Sequence, residues 1–333
     1  MEILGYIRIR RKKDMKKDLP SMNQDMLDLV TQKKDSMTMQ QPMPDGYIQV
    51  TCYSILPGII LALNNIHTAR FPLTAEMSAC DIFTINYCLE GRCEFQIDND
   101  NYLYISNNLT SIGPLTAQDS FYYPSSHYLG YEFYVFPSYL NSQAEDILAL
   151  FSIKTMQLFA CAKPHSPLLT PDTLASLWNQ LHHAVNNRQI GHIRLKALEI
   201  MQYLVTHPNL PQGNVYYLTK TQATLANNMK ELLVKDLSQH IPVRTIAGSY
   251  GVSETSLKNY FRSVYGVTVS QYLNEARMQL AGKLLTTTTM SISDIARNCG
   301  YTNQGRFAKI FRDYYHMKPL DYRRNASIHS IRL

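Results

Sequence analysis

The stretch IAGSYGVSETSLKNYF at residues 246–261 returns as IARNCGYTNQGRFAKIF at residues 295–311. Ala247 and Ala296 are 49 positions apart, whereas Phe261 and Phe311 are 50 apart, so the second copy carries one extra residue. Each copy has a small residue that lets two helices pack closely, a glycine for a turn, and a Ser or Thr that caps the next helix. The repeat therefore predicts two helix-turn-helix units in tandem.

The tandem resembles the DNA-binding domain of AraC-family transcription regulators over about residues 230–324. The matching positions are Ile246, Ala247, Gly251, Ser253, Leu257, Phe261, Gly266, Tyr272, Leu273 and Arg277, followed by Ile295, Ala296, Gly300, Tyr301, Phe307, Phe311, Pro319, Tyr322 and Arg323. Two positions depart from the family pattern. Gly305 stands where the family usually has Ser, and His316 replaces the Gly that usually closes the second recognition helix. A left-handed helix end is therefore expected at a residue that carries a side chain.

Each recognition helix must present polar groups between the core residues that hold it in place. The first helix is expected to expose Thr255, Lys258, Asn259 and Arg262, and the second Gln304, Arg306, Lys309 and Arg312. The resemblance implies that the first three of each set read base edges, a role that suits amide, guanidinium and ammonium groups. Arg262 and Arg312, near the helix ends, suit phosphates. For any one of them the alternative is a solvated side chain without a DNA contact.

Charge is divided along the chain in a way that agrees with DNA binding. The net charge is +4 over residues 1–34, −6 over residues 35–224 and +8 over residues 225–333. A basic C-terminal domain beside an acidic central one is typical of a polyanion-binding module joined to another domain.

The first part of the chain has no features of a secreted or membrane protein. Its basic run IRIRRKKDMKK is followed by no apolar segment, so we predict a disordered arm over residues 1–44, with DNA contact as the alternative. The six cysteines have no metal-ligand spacing and indicate reduced thiols in the cytoplasm. The nearest pair, Cys88 and Cys93, is the weak candidate for a metal or redox site. No apolar run is long enough to span a bilayer.

Residues 45–136 alternate between apolar and polar side chains, as short antiparallel strands do. Glu90-Gly91 and the run Asp98–Asn101 are predicted turns, and YCLEGRCEF at residues 87–95 is similar to the hairpin of a cupin-like barrel. The resemblance implies such a barrel at this position. The predicted fold class is therefore α+β: an N-terminal antiparallel β-barrel with helices, and an all-α C-terminal domain.

Aromatic residues crowd the stretch FYYPSSHYLGYEFYVF at residues 121–136. They predict either the core of the barrel or the wall of an effector pocket, since such pockets are mostly apolar with a few polar groups. The candidate effector-binding residues are Tyr123, His127, Tyr131 and Phe133. His127 and His67 lack the clustered partners of a metal site, and no cofactor is expected.

Helices are predicted over residues 171–186 and 190–205, followed by a linker over 207–221 that is rich in Pro, Gly and Asn. The resemblance implies that helices before this linker pair two protomers or seat the second domain, and internal packing is the alternative. The predicted domains are thus a sensor and dimerisation domain over 45–206 and a DNA-binding domain over 222–326. A helix over 269–286 is expected to hold the two recognition helices about one DNA turn apart.

These observations favour a cytoplasmic bacterial transcription regulator, an activator that binds double-stranded promoter DNA and RNA polymerase. A small-molecule effector and a second copy of the chain are its expected further partners, and no membrane is involved. One alternative is a regulator without an effector, whose barrel only dimerises. The other is an enzyme fused to a DNA-binding domain. A cupin-type enzyme would need a His/Glu cluster and a DNA-repair methyltransferase a Pro-Cys-His-Arg string, and the sequence has neither.

Overall fold

The computed structural model describes residues 30–32, 35–72, 82–107, 109–114, 120–162, 167–211 and 217–330. The chain divides into two compact units, Met1–Tyr217 and Leu218–Leu333. The division falls inside the segment 207–221 that the sequence predicts as a linker. The predicted basic arm lies outside the described residues as far as residue 29.

The first unit is built on one antiparallel sheet. Its strands are β1 (Val30–Gln32), β2 (Ser36–Met43), β3 (Gly46–Leu56), β4 (Ile59–His67), β5 (Arg70–Pro72), β6 (Phe83–Gln96), β7 (Asn101–Ser106), β8 (Leu109–Pro114), β9 (Ser120–Tyr122), β10 (Tyr128–Val135) and β11 (Leu168–Leu169). Strands β1, β2, β3, β4, β10 and β6 lie side by side in that order. Beyond them, β6 pairs with β7, β8 and β9, while β5 pairs with β9 and β11 with β8.

The sheet is open. The α+β class and the antiparallel pairing are confirmed, but among the described residues no ladder joins β1 or β2 to the far edge of the sheet. The predicted closed barrel is therefore wrong, and the cupin-like class is not supported. The reason is physical: alternation predicts neighbouring strands, whereas closure depends on strand tilt and stagger, which a sequence pattern does not show.

The predicted disordered arm is wrong for its last part, because β1 and β2 lie within residues 30–44. Strand β2 pairs with β3 along its whole length, from Ser36 opposite Tyr53 to Met43 opposite Gly46. Pro44 and Asp45 form the turn between them. Pro-Asp-Gly is a turn sequence, so the strand on its N-terminal side is as much part of the hairpin as the one that follows.

Strand β6 runs unbroken from Phe83 to Gln96, so the hairpin predicted for residues 87–95 is also wrong. The strand changes partners instead: it pairs with β10 as far as Gly91 and with β7 from Arg92 onward. Gly91 has φ +83°, and a Cβ atom there would overlap the carbonyl oxygen of His127. The register between β6 and β10 shifts at Leu89, so the glycine lies beside a bulge that redirects the strand, rather than in a turn that ends it.

Four helices cover one face of the sheet. They are α1 (Ser142–Leu150), α2 (Thr155–Ala160), α3 (Asp172–Asn186) and α4 (Ile190–Thr206). The core beneath them is centred on Trp178 of α3, which is fully buried and stacks on Tyr87 with ring centroids 4.8 Å apart. Most apolar side chains of α4, including Ile200 and Met201, lie in this core. Internal packing, the alternative considered for these helices, thus accounts for most of their apolar surface.

The second unit is helical. After the short strand β12 (Tyr217–Thr219), its helices are α5 (Lys220–Lys235), α6 (Val243–Ser249), α7 (Glu254–Tyr265), α8 (Val269–Thr287), α9 (Ile292–Asn298), α10 (Gln304–Tyr315) and α11 (Pro319–Ser330). The prediction of two helix-turn-helix motifs in tandem is confirmed. Helices α6 and α7 form the first motif, and α9 and α10 form the second. The predicted long helix between them is also confirmed and ends one residue later than expected.

Candidate nucleic-acid interface

Helix α7 presents its predicted DNA-contacting face to solvent. The Ser253 hydroxyl caps the helix by accepting a hydrogen bond from the Ser256 N–H at 3.0 Å. Leu257 and Phe261 are fully buried and fix the rotation of the helix. The residues predicted to contact DNA are all exposed: Thr255, Lys258, Asn259 and Arg262.

The ammonium group of Lys258 is paired within the helix. Its Nζ lies 2.5 Å from Oε1 of Glu254, one turn earlier. About half of the Lys258 side chain is exposed, so the pair stabilises the helix only slightly. Sequence reasoning missed Glu254, although a Glu four positions before a Lys is the signal for such a pair.

Helix α10 presents the second predicted face. The Asn303 side chain caps it by accepting a hydrogen bond from the Arg306 N–H at 2.9 Å. Phe307 and Phe311 are fully buried. The residues predicted to contact DNA are again all exposed: Gln304, Arg306, Lys309 and Arg312.

The two departures from the family pattern have structural consequences at the ends of α10. Gly305 lies in the first turn, where an added Cβ would come 3.2 Å from Oδ1 of the capping Asn303. His316 ends the helix with φ 58° and ψ 16°, which confirms the predicted left-handed residue with a side chain. Helix α7 ends in the same conformation at Gly266, where φ is 77°.

The same three-ring cluster supports both recognition helices. In the first copy, Phe261 lies 4.5 Å from Tyr265 and 5.5 Å from Tyr272 between ring centroids. In the second copy, Phe311 lies 4.6 Å from Tyr315 and 5.4 Å from Tyr322. The ring of Tyr272 is nearly perpendicular to that of Phe261, with an interplanar angle of 86°, and the ring of Tyr322 is nearly perpendicular to that of Phe311, with an angle of 85°. The duplication therefore extends from sequence to side-chain geometry.

Two arginines hold the segments that enter the helix-turn-helix units, a role that sequence reasoning missed. Arg277 of α8 donates to the carbonyl oxygens of Leu237 at 3.1 Å and Gln239 at 3.2 Å, in the segment before α6. Arg323 of α11 donates to those of Leu285 at 3.3 Å and Met290 at 2.7 Å, before α9. Arg277 and Arg323 are both among the positions that match the family, and each follows one copy of the repeat. This equivalence in sequence was the signal that could have predicted their shared role.

Gly300 lies in the turn of the second helix-turn-helix motif, beside Arg277. It has φ +77°, and a Cβ there would lie 2.8 Å from Nη2 of Arg277 and 2.5 Å from the Leu237 carbonyl oxygen. Only glycine fits both the turn and this close approach.

The four predicted effector-binding residues do not meet in one place. Tyr131 and Phe133 are fully buried on the helix-covered face of the sheet, where Tyr131 shares a 3.0 Å hydrogen bond with Nδ1 of His182. Tyr123 is buried on the opposite face, with its ring 5.1 Å from that of Tyr128. His127 is half-buried near the bulge, where its Nε2 lies 3.1 Å from Oε2 of Glu90. Tyr131 and Phe133 share one face because they alternate with Glu132 along β10, whereas Tyr123 and His127 lie in the connection before that strand.

The face opposite the helices contains a buried carboxyl group that sequence reasoning missed. Glu132 alternates with Tyr131 and Phe133 along β10 and is 6 % exposed. Its Oε2 accepts hydrogen bonds from the Tyr134 hydroxyl at 2.6 Å and from the Asn64 amide at 3.4 Å. Burial raises the pKa of the Glu132 carboxyl to about 7, against the opposing effect of these two donors.

Within the described ranges, His, Cys, Asp and Glu side chains form no group of three or more that could hold a metal ion. Nor does any helix of the described part have the length and apolar character needed to cross a membrane.

Comparison with known protein families identifies a match in the second unit. A family described as "Helix-turn-helix domain" matches residues 246–325, which include both recognition helices.

Curated proteins with similar sequences include three regulators. The "Regulatory protein SoxS" of Salmonella typhimurium is 33% identical over 93 residues, which are 28% of this chain and 87% of that protein. The "Msm operon regulatory protein" of Streptococcus mutans is 24% identical over 248 residues, which are 73% of this chain and 84% of that protein. The "HTH-type transcriptional activator RhaS" of an Enterobacter species is 28% identical over 163 residues, which are 48% of this chain and 57% of that protein.

Proposed function

The chain belongs to the AraC family of DNA-binding transcription regulators, and from this premise we propose that it reads promoter DNA with α7 and α10. The observation that carries the proposal is the exposure of both predicted sets of polar side chains, each on a helix that buried apolar side chains hold in place. Thr255, Lys258 and Asn259 then read one segment of the major groove. Gln304, Arg306 and Lys309 read the next.

The length of the connecting helix α8 fits two recognition helices that bind successive segments of the major groove. Its 19 residues make a rod about 28 Å long, close to the roughly 34 Å rise of one DNA turn. Arg262 and Arg312, in the last turns of the recognition helices, bind phosphates and fix the register on the duplex.

A salt titration tests the DNA-binding proposal. Each phosphate that the protein neutralises releases counterions, so affinity should fall about a hundredfold between roughly 50 and 200 mM salt for four contacts. We expect this dependence for the full chain on a duplex from its own promoter region, measured by fluorescence anisotropy. Arg312→Ala, which removes a proposed phosphate contact, should reduce the slope more than Lys283→Ala, which removes one positive charge from an exposed site on α8. Affinity that is indifferent to salt would count against the proposal.

We also propose that the first unit is a sensor whose ligand contacts the face of the sheet opposite the helices. What supports this is a cluster of polar side chains on that face, in which Glu132 bonds Tyr134 and Asn64 and buried Asn86 pairs opposite Glu132, since such groups are costly to keep in a core. Tyr123 lies on this face, while Tyr131 and Phe133 lie on the other and would pass a change in β10 to α3. A thermal-shift screen with metabolites separates a sensor from a regulator without an effector.

Activation through RNA polymerase and action as a homodimer complete the proposal. The similarity to RhaS, which is named a transcriptional activator, supports the first. The proposal of a homodimer is supported by the helical part of the first unit, which has exposed apolar side chains at its surface.

A further inference from the structure

The two helix-turn-helix motifs meet at one side chain in the middle of α8. Nε of Arg277 donates to the carbonyl oxygen of Leu237 at 3.1 Å, and its Nη2 donates to that of Gln239 at 3.2 Å. Both carbonyl groups lie in the segment that enters the first motif. The guanidinium carbon of Arg277 also lies 5.8 Å from the ring centre of Tyr301, which precedes α10 in the second motif. One arginine therefore contacts both motifs at once.

The backbones of the two motifs also approach each other closely at this place. A Cβ atom added at Gly300, in the turn of the second motif, would lie only 2.5 Å from the Leu237 carbonyl oxygen. The turn of the second motif thus packs directly against the segment that enters the first. We define Leu237, Gln239, Arg277, Gly300 and Tyr301 as the Arg277 junction.

The equivalent glycine of the first motif has a different environment. Gly251 has φ +66° and Gly300 has φ +77°, so both take the conformation that their turns require. Within the described residues, however, a Cβ added at Gly251 would have no atom within 4 Å beyond its chain neighbours. The close approach at Gly300 is therefore not a requirement of the turn. It belongs to the contact between the motifs.

The two equivalent arginines differ in the same way. Arg323 donates to the carbonyl oxygens of Leu285 and Met290, at the end of α8 and in the connection to α9. It therefore holds the entry of the second motif, the motif that it follows in the chain. Arg277 holds the entry of the first motif and at the same time contacts the turn of the second.

A contact of this kind limits how the motifs can turn relative to each other. Two bodies that are joined by a single connection can rotate about it, as domains do about a hinge. Helix α8 is one connection, because it joins α7 to α9 in the chain. The Arg277 junction is a second connection away from the ends of that helix, and two separate connections oppose rotation about either one.

From this geometry we infer that the Arg277 junction fixes the orientation of α10 relative to α7, and thereby the spacing of the two DNA segments that the protein accepts. Successive base pairs of a duplex are rotated by about 35°, so a fixed orientation of the two helices matches one spacing. Arg277 is thus a positioning residue that acts through the recognition helices. The inference rests on the proposed reading of DNA by both α7 and α10.

The first experiment compares two duplexes by fluorescence anisotropy. One is the duplex from the promoter region, and the other has two extra base pairs between the two segments that footprinting shows to be protected. Two base pairs rotate one segment by about 70° relative to the other. Wild-type protein should bind the longer duplex at least about tenfold more weakly, which corresponds to about one lost base contact.

Arg277→Ala should bind the original duplex more weakly than wild type and should lose most of the tenfold penalty, because its motifs can turn to follow the DNA. Both segments should remain protected in its footprint. Arg277→Lys keeps the charge but not the fork of donors, so its penalty should lie between those of wild type and Arg277→Ala. Circular dichroism checks folding, and Arg277→Lys decides the test if Arg277→Ala does not fold.

Arg323→Ala is the matched control for the arginine. It removes an equivalent side chain that holds two carbonyl groups outside the Arg277 junction. Binding to the two duplexes should weaken alike, so the penalty for the longer duplex should stay that of the wild type.

The second experiment uses the two turn glycines. Gly300→Ala and Gly251→Ala each place a methyl group at positive φ, so the backbone cost of the two substitutions is similar. Only the methyl group at position 300 would overlap the Leu237 carbonyl group. Gly300→Ala should therefore reduce the penalty for the longer duplex, whereas Gly251→Ala should retain it.

The outcomes separate the Arg277 junction from the proposed function. If wild type and Arg277→Ala have the same penalty, or if wild type has none while both segments are protected, the inference is wrong and DNA reading by both helices stands. If Arg277→Ala protects only one segment, Arg277 merely supports folding of the second motif, and the inference is again wrong. A wild-type footprint of one segment overturns the two-helix reading and the inference together.

Discussion

His316 is the residue at which the second helix-turn-helix differs most from the first. At φ 58° it holds the left-handed conformation that Gly266 holds at the end of α7. For a residue with a Cβ atom this conformation costs free energy that glycine does not incur, although His tolerates it better than most. The end of α10 is therefore less stable than the end of α7.

We predict that His316→Gly raises the free energy of unfolding of the second unit by about 0.5–1 kcal/mol. Urea unfolding, followed by circular dichroism, measures the change. The reciprocal variant, Gly266→Ala, should lower the free energy of unfolding by about 1 kcal/mol, because it places a side chain in the same conformation. A His316→Gly variant less stable than the wild type would show that the imidazole makes a compensating contact.

Glu132 makes the stability of the first unit depend on pH. The pKa of its carboxyl is raised by burial from 4.5 to about 7 in the folded protein. Between these values the folded state holds a proton that the unfolded state has lost. The contribution to the free energy of unfolding is therefore complete below about pH 4.5 and is lost as pH rises through 7, by at most about 3 kcal/mol.

Glu132→Gln should remove this dependence, because the amide has nearly the same shape and does not titrate. We predict that the urea midpoint of the wild type falls relative to that of Glu132→Gln between pH 5 and pH 7.5. Other groups titrate in both proteins, so the difference between the two profiles isolates Glu132. Parallel profiles would mean that the Glu132 carboxyl is solvated in solution.

At the scale of elements, the two recognition helices are alike in support and different in charge. Both rest on a Phe-Tyr-Tyr cluster, and an arginine holds the segment that enters each helix-turn-helix unit. On α7 the Lys258 ammonium is paired with Glu254, whereas within the described residues Arg306 and Lys309 of α10 form no salt bridge. If Lys258 reads a base as proposed, its ammonium has to leave the Glu254 carboxylate for a DNA acceptor, whereas Arg306 and Lys309 would need no such exchange.

We predict that the base-reading variants act on different parts of the footprint. Lys258→Ala and Asn259→Ala should relax base preference in one segment, and Arg306→Ala and Lys309→Ala about one helical turn away. Each lost base contact should cost about 1–3 kcal/mol on the preferred sequence and little on random DNA. Footprinting and competition with random duplex measure both effects.

Arg262→Ala and Arg312→Ala are the matched controls, since they would remove the proposed phosphate contacts. They should weaken binding to all sequences alike. If Arg306→Ala and Lys309→Ala behave in the same uniform way, then α10 only holds the backbone, and α7 alone reads the sequence.

At the scale of the whole molecule, the positively charged part of the chain is the part that is proposed to bind DNA. The net charge of +8 over residues 225–333 lies with both recognition helices, and the acidic part of the chain lies before it. A positive field around the second unit attracts the duplex, while an acidic first unit gains nothing from contact with phosphates. The charge distribution therefore favours DNA binding by the second unit, in agreement with the proposed function.

The sequence alone determined the architecture of the second unit, down to its recognition faces. Each helix-turn-helix unit is compact and local, so Ala247, Gly251 and Leu257 take their positions from neighbours within a few turns of the chain. Spacing then decides which side chains point outward, and all eight predicted DNA-contacting residues are exposed. The repeat made the pattern visible twice.

Only the tertiary structure decided the first unit. Gly91 suits a hairpin turn and a bulge equally well, and the partner strands of β6 decide between them. Tyr131 and Tyr123 belong to one aromatic run in sequence, yet Tyr131 lies in β10 beneath the covering helices, and Tyr123, in the connection before that strand, packs in the core on the opposite face. Strand pairing, face and burial are set by contacts far apart in the chain, and a local pattern carries no information about which distant segment will meet it.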